Sequence, residues 1–119
     1  MKAQDIRIGN YIADIWTPNG LFKVTELRKD KIFYGNCFKA KYDDIRPIPL
    51  TEEILLKAGF EKDIESLFYR NSFIIAKTKT RWAFYHNGLT GGELARIDYI
   101  HELQNLIFAL TGEEIKIEL

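Results

Sequence analysis

The stretch "IRPIPLTEEILLKAGF", Ile45 to Phe60, divides the chain into two kinds of sequence. Pro47 and Pro49 stand at alternate positions, so the chain there must be extended and cannot enter a helix. Thr51 then fits an N-cap, with Glu52 and Glu53 in the first turn, where the helix dipole favours acids. Ile54, Leu55, Leu56 and Ala58 carry the helix to Gly59. Gly59 at C′ and Phe60 at C″ fit a Schellman ending, with Phe60 packing back near Leu55.

Before this helix the chain reads as short strands. "DIRIGNYIADIW" alternates and breaks at Gly9-Asn10, and "TPNG", Thr17 to Gly20, has the chemistry of a turn. In "LFKVTEL" the alternation sets Leu21, Lys23, Thr25 and Leu27 on one face and Phe22 and Val24 on the other. "IFYG" and "CFKAKY" follow. Strands of this length and spacing predict a small, strongly bent antiparallel sheet, with the SH3-like barrel as the nearest architecture.

After the helix come "SLFYR", "SFIIAK" and "TRWAFYH", with turn signals at Asn71-Ser72 and around Lys79. They predict a three-stranded meander, with "ELARI" as a fourth strand. "NGLTGG", Asn87 to Gly92, reads as a flexible connection. Asp98 is placed to cap a last helix that Gly112 ends, and "EIKIEL" alternates like a terminal strand. The expectation is an α+β chain: a barrel-like β module over residues 1–50 and a helix, meander and helix over 51–119, packed as one unit with the first.

At 119 residues, 46% of them hydrophobic, the chain can bury a core without staples. Basic and acidic residues balance at 17 each, so no global field draws it to nucleic acid or membrane. The distribution is uneven. Residues 1–50 carry a surplus of three positives, and Phe68 to Arg96 holds five basic residues against one acid, Glu93. A single cysteine, Cys37, permits no internal disulfide and suits a reducing compartment. The N-terminus lacks an apolar signal core, and no run approaches the roughly 18 apolar residues of a membrane span. A soluble, cytoplasmic protein is expected.

Three segments, "RIGNYI", "IRPIPLTEEILLKAGF" and "YIHELQNLIFALTGEEIKI", carry a resemblance. They resemble a group of short bacterial and prophage proteins, whose pattern runs from an "IGNYV"-like strand through "PIPLTEEWLLKFGF" to "YVHQLQNLYFALTGEEL". This chain has Ile54 where that pattern has Trp, and Glu102 where it has Gln. The resemblance implies an accessory role in mobile elements. Phage accessory proteins of this size often bind and block host machinery, including restriction and CRISPR nucleases.

Catalytic chemistry finds little to use. His86 and His101 lack metal-ligand spacing, so no metal or other cofactor is expected. Cys37 lies in a strand pattern and reads as a small buried hydrophobe. "NGLTGG" lacks the Lys-Ser/Thr ending of a phosphate loop. The acid pairs at Asp43-Asp44, Glu52-Glu53 and Glu113-Glu114 are neighbours in sequence, which point apart on a strand or helix. A non-enzymatic binding protein is the expectation: an inhibitor of a host defence nuclease, with a host protein or ribonucleoprotein as partner. The alternative is a small nucleic-acid-binding domain.

Two surfaces are candidates. On the meander, Arg70, Lys77, Lys79 and Arg81 interleave with Phe68, Tyr69, Phe73, Trp82, Phe84 and Tyr85, and basic grooves with exposed rings hold single-stranded nucleic acid. The competing reading is a half-buried sheet, with Trp82 and Phe84 inside and Arg81 and Tyr85 outside. On the last helix, Tyr99, Ile100, Leu103, Leu106, Ile107 and Leu110 fall within one arc of roughly 120°, the width of a core-facing stripe. Off that stripe lie His101, Gln104, Asn105 and Phe108, an uncharged set where solvent would favour Lys and Glu. Such a face suits a protein partner; alternatively the N-terminal barrel covers it, with Gln104 and Asn105 bonded to its loops.

Overall fold

A computed structural model of the chain describes residues 1–64, 67–79, 81–86 and 93–118. The fold is α+β, with two five-stranded antiparallel sheets and two α-helices among the described residues. It divides into two units, Met1–Pro49 with Tyr99–Glu113, and Leu50–Asp98 with Glu114–Leu119. The first unit's opening segment ends at Pro49. The C-terminal helix, expected with the second module, belongs to the first.

In the first unit, β1 (Tyr11–Asp14), β2 (Thr17–Leu27), β3 (Ile32–Tyr34) and β4 (Phe38–Ala40) form a meander, and β5 (Ile45–Arg46) returns to pair with β1. The order β4-β3-β2-β1-β5, with a 3-10 turn at Tyr42–Asp44 before β5, is that of a small SH3-like sheet. Its core is Ile6, Ile12, Val24, Ile32, Tyr34, Ala40 and Ile45. Leu27, expected on the face of Lys23 and opposite Val24, instead packs with Val24 against that core. The cause is a bulge: Val24 faces Tyr34 but Glu26 faces Phe33, so β2 gains one residue and its alternation flips.

Thr17 to Gly20 does not reverse the chain, as "TPNG" suggested. The reversal is at Ile15-Trp16, and Thr17–Gly20 lies within β2. There β1 advances from Ile12 to Asp14 while β2 goes back from Phe22 to Thr17, leaving β2 with extra length to accommodate. Cys37, expected inside a strand and buried, sits exposed in the turn before β4.

Helix α2 (Ile100–Thr111) packs on β1 in this unit, with Ile100, Leu103 and Ile107 fully or nearly buried. Burying one such side chain contributes about 1.5–3 kcal/mol. Gly112, in the left-handed conformation at φ 74°, ends the helix. The cap at the other end is Tyr99 and not Asp98; the Tyr99 amide donates to Glu102 Oε1 at 3.0 Å.

In the second unit, Thr51 Oγ1 accepts from the Ile54 amide, opening α1 (Glu52–Lys57) as its sequence requires. Phe60 N–H donates to Leu55 C=O and Gly59 N–H to Leu56 C=O, the Schellman pair, with Gly59 at φ 91°. The sheet runs β10 (Ala95–Ile97), β9 (Trp82–His86), β8 (Phe73–Lys77), β7 (Leu67–Arg70), β6 (Glu61–Ile64). Strand β6 has no sequence signal, because a charged "EKDI" is how an exposed edge strand avoids pairing with other chains. The fourth strand from "ELARI" is β10, and Asn71 at φ 55° makes the β7–β8 turn. The expected connection Asn87–Gly92 lies outside the described residues. Of "EIKIEL", the described residues 114–118 join no sheet: Ile115 and Ile117 are buried, and the Glu118 amide donates to Lys57 C=O. Among the described residues no helix is long and apolar enough to cross a membrane.

Candidate functional site

The uncharged face of α2 is tied to the start of the same unit's sheet. Gln104 is 2% exposed; its Nε2 donates to Gly9 C=O at 3.1 Å and its Oε1 accepts from the Tyr11 amide at 2.9 Å. The side-chain amide thus meets alternate backbone groups of one chain segment, as a neighbouring strand would. Asn105 Oδ1 accepts from Arg7 Nε at 2.8 Å and Asn10 Nδ2 at 2.9 Å, and its Nδ2 donates to Asp5 C=O. Asn10 is fully buried, and its Oδ1 accepts from the Arg7 amide. Arg7 also lies over the Phe108 ring, 4.2 Å from its centroid, leaving Phe108 37% exposed. The chain's own residues therefore cover His101 and Gln104 and engage Asn105, while Phe108 keeps a partly exposed ring beside Arg7. The motifs "RIGN" and "HELQNLIF" recognise each other.

His101 is buried, and its Nδ1 has no hydrogen-bond partner among the described residues. Burial holds its pKa below the usual 6.5, against the opposing pull of Glu102 and Asp5. The neutral ring is the folded form, so its stabilising contribution is complete above the ordinary histidine pKa and is lost as pH falls through the lowered one. Wild type is expected to lose stability as pH falls below the ordinary histidine pKa of 6.5. His101→Phe should lack that component when the two are compared by denaturant unfolding.

The meander resolves in favour of the half-buried sheet. Phe68, Phe73, Trp82 and Phe84 are buried, and Trp82 Nε1 donates to Leu50 C=O at 3.1 Å. Tyr85 is half-buried on the opposite face from Trp82 and Phe84. Arg81 makes a two-pronged ion pair with Asp98, at 3.1 and 3.0 Å. Lys77 lies 5.6 Å from the Trp82 ring centroid, and Lys79 is exposed. Arg70 sits at the opposite end of β8, its guanidinium stem beside Gly59. The structure thus separates Arg70 from Lys77, Lys79 and Arg81, and removes most of the rings from any stacking platform.

A third feature was not singled out from the sequence. Ile15 to Phe22, "IWTPNGLF", is a run without charge in a chain that is 29% charged. Trp16, at the β1–β2 reversal, is 63% exposed, with Ile15 and Leu21 also exposed. The tip is held from below by Asp14, which is buried. Asp14 Oδ1 accepts from the amides of Trp16, at 3.1 Å, and Thr17, at 2.7 Å; Oδ2 accepts from Tyr34 Oη at 2.6 Å. Burial raises the Asp14 pKa, but the bonds from Tyr34, Thr17 and Trp16 outweigh it and leave the carboxyl below its usual value of 3.8. Burial and Asp14 together push the Tyr34 phenol well above its usual range. The pair is thus a carboxylate and a phenol, both tied to one turn. The signal available in the sequence was the lack of charge between Asp14 and Lys23.

Comparison with protein-family models, curated proteins and solved structures gives no match for this chain.

Proposed function

We propose that this chain is a non-enzymatic accessory protein that binds a protein partner through the β1–β2 tip, with Trp16 as the anchor. The observation that carries the reading is Trp16 itself: a large ring exposed on a turn that the Asp14 carboxylate fixes. Interface cores are depleted of charge and enriched in Trp, and a turn whose backbone is already fixed costs less ordering on binding. The resemblance to prophage accessory proteins supports a host defence nuclease as the partner class.

The test is affinity capture from a nuclease-treated host lysate. Trp16→Ala should weaken capture of the partner at least ~30-fold, the equivalent of a ~2 kcal/mol hot spot. Its stability should change by no more than about 0.5 kcal/mol, because the ring is exposed. The captured protein should be a nuclease that the wild-type chain inhibits and Trp16→Ala does not. Capture unaffected by Trp16→Ala removes the reading. Nucleic acid retained instead, with a steep salt dependence that Lys79→Ala reduces, would replace it with the alternative.

A further inference from the structure

The second unit carries a different recessed surface. On the β-sheet face opposite Phe68, Ile75 and Phe84, a pocket of about 350 Å³ is lined by Asp63, Leu67, Tyr69, Asn71 and Ile74. The strand register explains the lining: Tyr69 faces Ile74 across β7–β8, and Glu61 faces Tyr69 across β6–β7. Tyr69 is 40% exposed and its Oη donates to Glu61 Oε2 at 2.8 Å, which holds the ring at the pocket wall. The two carboxylates raise the Tyr69 phenol pKa, chiefly through the Glu61 hydrogen bond.

Among the described residues no cation pairs with Asp63. Lys62, between the two acids, bonds Glu52 of α1 at 2.9 Å. Asp63 is exposed and has no ion pair among the described residues. The pocket therefore offers an aliphatic floor, an aromatic wall and an unpaired carboxylate at its rim.

The geometry points to an arginine side chain of a protein partner as the occupant of this pocket. Its methylenes match Leu67 and Ile74, its planar guanidinium can lie against the Tyr69 ring, and Asp63 can accept its fork. A lysine would use the carboxylate but not the ring face to the same extent. This contact is independent of the Trp16 tip, lies in the other unit, and is charge-based where the tip is not.

The test is a titration of the isotope-labelled full chain with N-acetyl-arginine amide, followed by amide chemical shifts. The lysine and citrulline equivalents serve as comparisons. Shifts are expected at Asp63, Leu67, Tyr69, Asn71 and Ile74, saturating in the millimolar range typical of one side chain. They should be several-fold weaker for the lysine probe and absent for neutral citrulline. Asp63→Asn should abolish them while leaving the rest of the spectrum in place, since Asp63 is exposed. No shifts with the arginine probe, equal shifts with citrulline, or unchanged binding by Asp63→Asn would each overturn the assignment. Tip binding to a partner is unaffected by any of these results.

Discussion

Gln104→Ala is expected to destabilise the chain by about 2–4 kcal/mol, read by denaturant unfolding. The substitution removes one donor and one acceptor together. It leaves Gly9 C=O and the Tyr11 amide without the partners they have in the native unit, and it opens space beside the buried Asn10. Each orphaned buried polar group costs about 1–3 kcal/mol. Gln104→Glu separates this account from simple loss of volume. Glutamate keeps the size and can still accept from Tyr11, but sets a carboxylate oxygen against Gly9 C=O. It too should be destabilised, and more so as pH rises and the new carboxyl ionises. If Gln104→Glu were as stable as wild type at neutral pH, the amide would not be acting as a strand partner.

Asp14→Ala should cost about 2–3 kcal/mol, since it strands the Tyr34 hydroxyl and the amides of Trp16 and Thr17 at once. It should also blur the tip, lowering amide-exchange protection at Trp16 and Thr17. The same carboxylate predicts an acid limb in the wild-type stability profile. Its folded pKa is lowered from 3.8, so its contribution is complete above that value and is lost as pH falls through the folded one. The Asp14 loss begins near 3.8 and the His101 loss near 6.5, and comparing Asp14→Ala with His101→Phe assigns each. A wild-type profile with no Asp14-dependent loss below about pH 4 would mean that the carboxylate is not held as described.

Legibility in the sequence followed the range of the interactions. Thr51, Gly59, Phe60, Asn71 and Gly112 act on backbone groups within a few residues of themselves, so residue type and spacing were enough to place α1, the β7–β8 turn and the end of α2. Trp82 and Phe84 were legible as core because strand alternation is local too. The lock between α2 and the "RIGN" segment is not local. Gln104 and Asn105 meet partners more than ninety positions away, and no period or spacing records such a pairing. The one trace was compositional, amides on a helix face where lysine and glutamate would serve solvent, and that trace fits a partner surface equally well. Asp14 was hidden for a similar reason: a buried carboxylate looks like any strand-end acid until its three donors are in place. The candidate tip was visible only as missing charge, a weaker signal than a motif.

With His101, Gln104 and Asn105 engaged by the chain's own residues, the proposed partner binding rests on position 16. Photo-crosslinking tests it most directly. Benzoyl-phenylalanine is placed at position 16 in one preparation and at position 108 in another, and each is exposed to nuclease-treated lysate. A discrete protein adduct is expected from position 16, and none of the same mass from position 108, whose ring is partly exposed beside Arg7 on α2 and outside the tip. An adduct from position 108 with none from position 16 would contradict the proposed binding.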